Sequence, residues 1–167
     1  MGMDVYGRRN KEAYFRANCW SWRPIHFLIK IADNNINIFD EKTMNLIGSN
    51  DGAGLKTQKE CNLLADELER LLDNPDLITR EGSLVVSESN WDCEDGEEKC
   101  QCISFKPIYH RPDRSDFCTK DGHFINLNEA KKKNIPLDDL CSPYSTSFPH
   151  VKEFIEFLRI CGGFKVC

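Results

Sequence analysis

A chain of 167 residues, 40% of them hydrophobic, has the apolar material for one domain, and a domain of this size buries roughly two-thirds of the surface its unfolded chain exposes. A net charge of -5 and a pI near 5.4 argue against broad electrostatic binding to nucleic acid, which requires a cationic surface that displaces counterions from phosphates. Arg8, Arg9, Lys11, Glu12, Arg16, Arg23 and Lys30 break up the start of the chain, so no apolar stretch there suits a secretory signal or the roughly 20 residues of a bilayer span. The expectation is a cytoplasmic protein with no membrane partner.

In chain order, Met3 to Tyr6, closed by Gly7, predicts a short strand or extended arm. Ala13, Tyr14 and Ala17 suggest a helix over 11–18. After a break near Pro24, which suits the first turn of a helix, Ile25, Leu28, Ile29 and Ala32 mark a second one. The asparagines around Ile36 and Ile38 favour a turn, and GSNDGAGL over 48–55 requires a loop. Thr57 and Glu60 then form a capping box ahead of Cys61, Leu64, Leu68, Leu71 and Leu72, one face of an amphipathic helix that ends near Asp73 before Pro75.

Leu84, Val85 and Val86 predict a strand, the acidic run 89–99 a hairpin loop, and 100–108 the partner strand. Prolines crowd 107–150, where a strand over 124–127 and a short helix from Asn128 are the expected elements. Val151, Phe154, Ile155 and Leu158 mark a C-terminal helix stopped by Gly162 and Gly163, followed by an edge strand over 164–167. The predicted architecture is a single α+β domain over 1–167, with amphipathic helices packed on a small, mainly antiparallel sheet drawn chiefly from the middle third. An irregular cysteine-rich insertion occupies about 83–147. Leu64, Leu68, Leu71, Phe154, Ile155 and Leu158 are expected in the core.

The segment NCWSWRPIHF sets Trp20, Trp22 and Arg23 together, and Trp20, Trp22 and Phe27 do not all share one helix face. One tryptophan is expected in the core, the other beside Arg23 as a stacking surface for a base, a sugar ring or a partner's side chain. In the glycine-rich loop, Gly52 and Gly54 let backbone amides turn toward an anion at the start of the following helix, with Asn50 and Asp51 as the polar side chains presented. The loop matches neither GxxxxGK[ST] nor GxGxxG, and a plain helix-entry loop is the competing reading. Nine cysteines, an odd count without an export signal, point to reduced thiols. Cys93, Cys100, Cys102 and Cys118 form a possible zinc set, with His110 and His123 nearby in sequence, though no CxxC pair is present and two buried thiols on one strand face explain Cys100 and Cys102 equally well. The acidic run lacks the spacing of a calcium loop, and no cofactor other than zinc is expected. His26, His110, His123 and His150 sit in no recognised catalytic motif.

The opening MGMDVYGRR, the segment YFRANCWSWRP, the loop SNDGAGL and the ending FIEFLRICGGFKVC together resemble a family of small uncharacterised proteins of bacteria, phages and prophages. The resemblance leaves out about 83–147 and supplies no activity, cofactor or catalytic set. It implies a mobile-element origin and a gathering of Asp4, Tyr6, Trp20, Trp22, Arg23, Asn50, Asp51, Gly52, Gly54, Gly162 and Gly163 around one surface. The leading functional expectation is a non-enzymatic binding protein that recognises a small polar ligand or a host protein through the Trp/Arg and Asn-Asp-Gly surface. The alternatives are a hydrolase or transferase using Asp51 or a cysteine–histidine pair, and a structural domain stapled by zinc.

Overall fold

The structure, a computed structural model, describes residues 2–89, 100–106, 113, 117–119, 123–140 and 142–167. Its first sheet is built from the two ends of the chain. Strand β1 (Gly2–Gly7) pairs antiparallel with β2 (Tyr14–Asn18) on one side and with β8 (Phe164–Val166) on the other. Met3, Val5, Phe15, Ala17, Phe164 and Val166 alternate inward and are buried, while Asp4, Tyr6, Tyr14, Arg16 and Lys165 point to the opposite face. The helix expected over 11–18 is therefore a strand. Ala13, Phe15 and Ala17 have the period of two, and pairing with β1 decides in its favour.

Helix α1 (Cys19–Ile36) follows β2 without a break, started by the Asn18 side chain, which accepts from the Trp20 and Ser21 amides. Pro24 lies inside this helix and does not begin it. The helix absorbs the one lost backbone bond because Trp22, Ile25, Leu28 and Ile29 are buried on its inner side. It runs into the stretch expected as an asparagine turn and ends there at Ile36, capped by Asn37 in the left-handed conformation. A short α2 (Glu41–Leu46), not expected from the sequence, leads into the glycine-rich loop.

The capping box is present as read: the Thr57 hydroxyl accepts from the Glu60 amide and the Glu60 carboxylate accepts from the Thr57 amide, opening α3 (Gln58–Asp73). A single turn, α4 (Asp76–Thr79), precedes a second sheet in which β4 (Cys100–Phe105) lies between β3 (Leu84–Ser89) and β7 (Ser145–Ser147). Strands β5 (Phe117–Cys118) and β6 (Phe124–Ile125) form a two-stranded ribbon next to α5 (Leu127–Lys132) and a 3-10 turn, Leu137–Asp139. Helix α6 (Phe148–Ile160) packs on α3, and Leu64, Leu68, Leu71, Phe154, Ile155 and Leu158 are all buried.

The molecule is a single α+β domain, as expected, but the strands among the described residues form two three-stranded antiparallel sheets and a ribbon instead of one sheet from the middle third. The segment expected as a hairpin loop over 89–99 lies almost wholly outside the described residues. Among the described residues, no helix is long and apolar enough to cross a membrane.

Candidate functional site

All four of the segments quoted above meet at the first sheet. The glycine-rich loop runs along the outer edge of β8: the Gly52 amide donates to the Val166 carbonyl at 2.7 Å, Val166 to Ala53 at 2.8 Å and Phe164 to Leu55 at 2.8 Å. Residues 52–55 thus act as a fourth, antiparallel rung that covers the sheet edge. Gly54 is required there because a Cβ would lie 2.2 Å from the Phe164 carbonyl oxygen. The Asn50 side chain donates to the Gly2 carbonyl at 3.4 Å, and Asp51 is exposed at the tip. The Gly52 amide is spent on the sheet, and the start of α3 already holds the Glu60 carboxylate, which accepts from Lys56 and Thr57. The loop's glycines serve strand docking, and no anion cradle is formed at Gly52.

Trp22 is the buried tryptophan, 1% exposed, edge-on to Phe154, with its indole N–H donating to the Ile47 carbonyl at 2.9 Å. Trp20, 38% exposed, lies 4.8 Å from the ring of Tyr144, and the Arg23 guanidinium sits over the same ring at 4.6 Å. Trp20 and Arg23, expected to face a ligand or partner, both rest on Tyr144, a residue no local pattern singled out. Of the cysteines, Cys19, Cys61, Cys161 and Cys167 are free thiols. Cys100 is disulfide-bonded, so the expectation that the thiols are reduced does not hold at this position. Cys93, His110 and the side chain of Cys118 lie outside the described residues, among which no group of three or more histidines, cysteines and carboxylates could hold a metal ion. His26 donates from Nε2 to the Met44 carbonyl at 2.8 Å, and His150 is beside Glu153 at 3.1 Å.

The arrangement with the most chemical potential is the solvent face of the first sheet. Its cross-strand register places Tyr14, Tyr6 and Lys165 in one row, and Arg16 opposite Asp4 in the next. Tyr6 and Tyr14 are 39% and 48% exposed, their rings 5.3 Å apart and tilted by 43°. The Tyr14 hydroxyl donates to Asp4, whose carboxylate raises the pKa of the phenol. Beyond the row opens a cleft of about 410 Å³ lined by Tyr6, Gly7, Arg8, Lys11 and Lys165.

The wall of this cleft is rigid for reasons visible in the backbone. The 7–13 turn is closed by Gly7 N–H to Ala13 O at 2.9 Å and tied to the chain end by Arg8 N–H to Gly163 O at 2.8 Å. The Arg8 side chain donates from Nε to both Leu55 O and Phe164 O at 2.9 Å, fixing the guanidinium where the loop meets β8. Arg16 pairs with Asp4, Arg70 with Glu67, and Arg159 with Asp66 and Glu69. Among the described residues Arg8, Lys11 and Lys165 have no such acidic partner. Sequence reading named Tyr6 but missed Tyr14, Arg8, Lys11 and Lys165. The signal was the alternation of Tyr14 and Arg16 with Phe15 and Ala17, hidden once that segment is taken for a helix. No family model, no curated protein and no solved structure matches the chain.

Proposed function

We propose that the protein is a binding module, not an enzyme, whose ligand is a small polar molecule bearing negative charge, held in the cleft of Tyr6, Arg8, Lys11 and Lys165. One observation carries the reading: three cations without acidic partners among the described residues converge on one cleft in a chain whose net charge is -5. Unpaired like charges repel one another, so their convergence raises the free energy of the empty cleft and an anion relieves it. The volume falls in the roughly 300–1,000 Å³ range of small-molecule sites. The ring of Tyr6 gives the cleft one flat apolar side, against which the cations act at lower effective dielectric than in open water. The reading keeps the small polar ligand expected from the sequence and moves its site from Trp20 and the Asn-Asp-Gly loop to the sheet face.

Titration calorimetry with inorganic pyrophosphate at low ionic strength tests it. Saturable binding is expected, weakening as salt is added because exposed charges are screened. Lys165→Glu combined with Lys11→Glu, two exposed positions outside the core, should weaken it by about tenfold or more, since each reversal replaces attraction with repulsion. Absence of binding by the unaltered protein, or equal affinity in the double variant, overturns the proposal.

A further inference from the structure

The anion cleft opens directly onto a tyrosine pair, and this continuity narrows the ligand class. We infer that the ligand is a nucleotide whose phosphates lie among Arg8, Lys11 and Lys165 while its base stacks on the exposed ring of Tyr14 beside Tyr6. The inference rests on the anion-binding reading above and adds the ring-bearing part of the ligand.

Three observations support it. Tyr6 belongs to both features, lining the cleft and lying 5.3 Å from Tyr14, so a ligand leaving the cations along the sheet meets aromatic surface at once. The register puts Lys165 and Tyr14 on opposite sides of Tyr6 in a single row. Adjacent strands are about 4.8 Å apart, so that row spans on the order of 10 Å, the reach of a base linked through a sugar to its phosphates. Finally, Tyr14 is 48% exposed yet held: its hydroxyl is bound to Asp4 and its strand is paired along its whole length. An exposed ring that is already oriented loses little rotamer freedom on binding, so more of the stacking energy appears as affinity. The Asp4 carboxylate is engaged by the Tyr14 hydroxyl and Arg16, which shields an approaching phosphate from the one acidic side chain in these rows.

The experiment compares ADP, pyrophosphate and adenosine as separate titrants of the full chain and of its Tyr14→Ala and Tyr14→Phe variants. Stacking on one aromatic ring is expected to make ADP bind at least about fivefold tighter than pyrophosphate. Tyr14→Ala should abolish the advantage of ADP over pyrophosphate, and Tyr14→Phe, which releases Asp4 in the same way but keeps the ring, should retain most of it. Adenosine alone should bind more weakly than ADP. If pyrophosphate binds but ADP is no tighter, or Tyr14→Ala leaves the ADP advantage intact, the nucleotide inference falls and the anion site stands. If neither pyrophosphate nor ADP binds, both fall. Melting curves of the Tyr14→Ala and Tyr14→Phe variants separate a lost contact from a lost fold.

Discussion

At the scale of single residues, the sequence marks the kind of side chain more readily than its partner. That one of Trp20 and Trp22 belongs to the core followed from their spacing. That Trp22 is the one, anchored to the Ile47 carbonyl, depends on the path of the chain after α2. His26 shows the same dependence: no motif surrounds it, yet burial lowers its pKa, with the Met44 carbonyl opposing and Lys30 reinforcing the shift. Its ring is therefore neutral in the folded protein at neutral pH. In the unfolded chain it titrates near the ordinary value of about 6.5. Between the lower folded value and that value the unfolded state holds a proton that the folded state does not, so stability rises with pH across this window and is lost on acidification through it. The unaltered protein should consequently lose more stability between pH 7.5 and pH 5.5 than His26→Gln does, measured as the shift in urea midpoint. Equal shifts would show that other groups govern this range.

At the scale of elements, those with local signals were legible and those that depend on a remote partner were not. The box at Thr57 and Glu60, the leucine face of α3 and the apolar stripe of α6 lie within single helices, and all three form. Strand β2 was misread because Ala13, Tyr14, Phe15 and Ala17 fit both periods, and the choice rests on β1. The glycine-rich loop was read correctly as a loop, but its use as a fourth rung on β8 was invisible, since β8 lies more than a hundred residues away in sequence. This rung gives its glycines distinct roles. At Gly52, φ is +73° and a Cβ would meet nothing within 4 Å, so Gly52→Ala should cost only the left-handed backbone penalty of about 1–2 kcal/mol. At Gly54 a Cβ would collide with the Phe164 carbonyl, so the segment must leave β8 and give up its backbone bonds. At about 1 kcal/mol each, together with the repacking of buried Phe164, Gly54→Ala should cost about 3–4 kcal/mol. Chemical denaturation of the two variants side by side checks the order, and similar midpoints would remove the rung from the account of stability.

At the scale of the molecule, the fold class was legible from composition and period, while the topology was not, because β1 and β8 join the chain's two ends through a register that no local pattern encodes. The same join explains why the proposed site was missed: Tyr6, Arg8 and Lys11 come from one end and Lys165 from the other. The described residues also divide their apolar side chains unevenly. A main core runs from Met3 to Val166, whereas Phe117, Ile125, Leu127, Ala130 and Leu140 form a separate small cluster supported by Ile135 and Leu137. The cluster is framed by a ribbon of two-residue strands and a six-residue helix, elements too short to persist without packing. Few buried contacts among the described residues, for the backbone they order, make such a unit able to open while the main core stays folded. Native-state hydrogen exchange should accordingly show the Ala130 and Ile135 amides exchanging through openings that depend weakly on denaturant. The Val166 and Phe164 amides, bonded across the sheet and buried, should exchange only with global unfolding. Leu127→Ala removes a side chain from the cluster alone, so it should accelerate exchange at Ala130 and Ile135 and leave Val166 unchanged. A single protection level for all four amides would mean that the two cores unfold as one. The proposed nucleotide site would then share the stability of the small cluster, whereas separate openings let the sheet proposed to carry it remain ordered when the cluster opens.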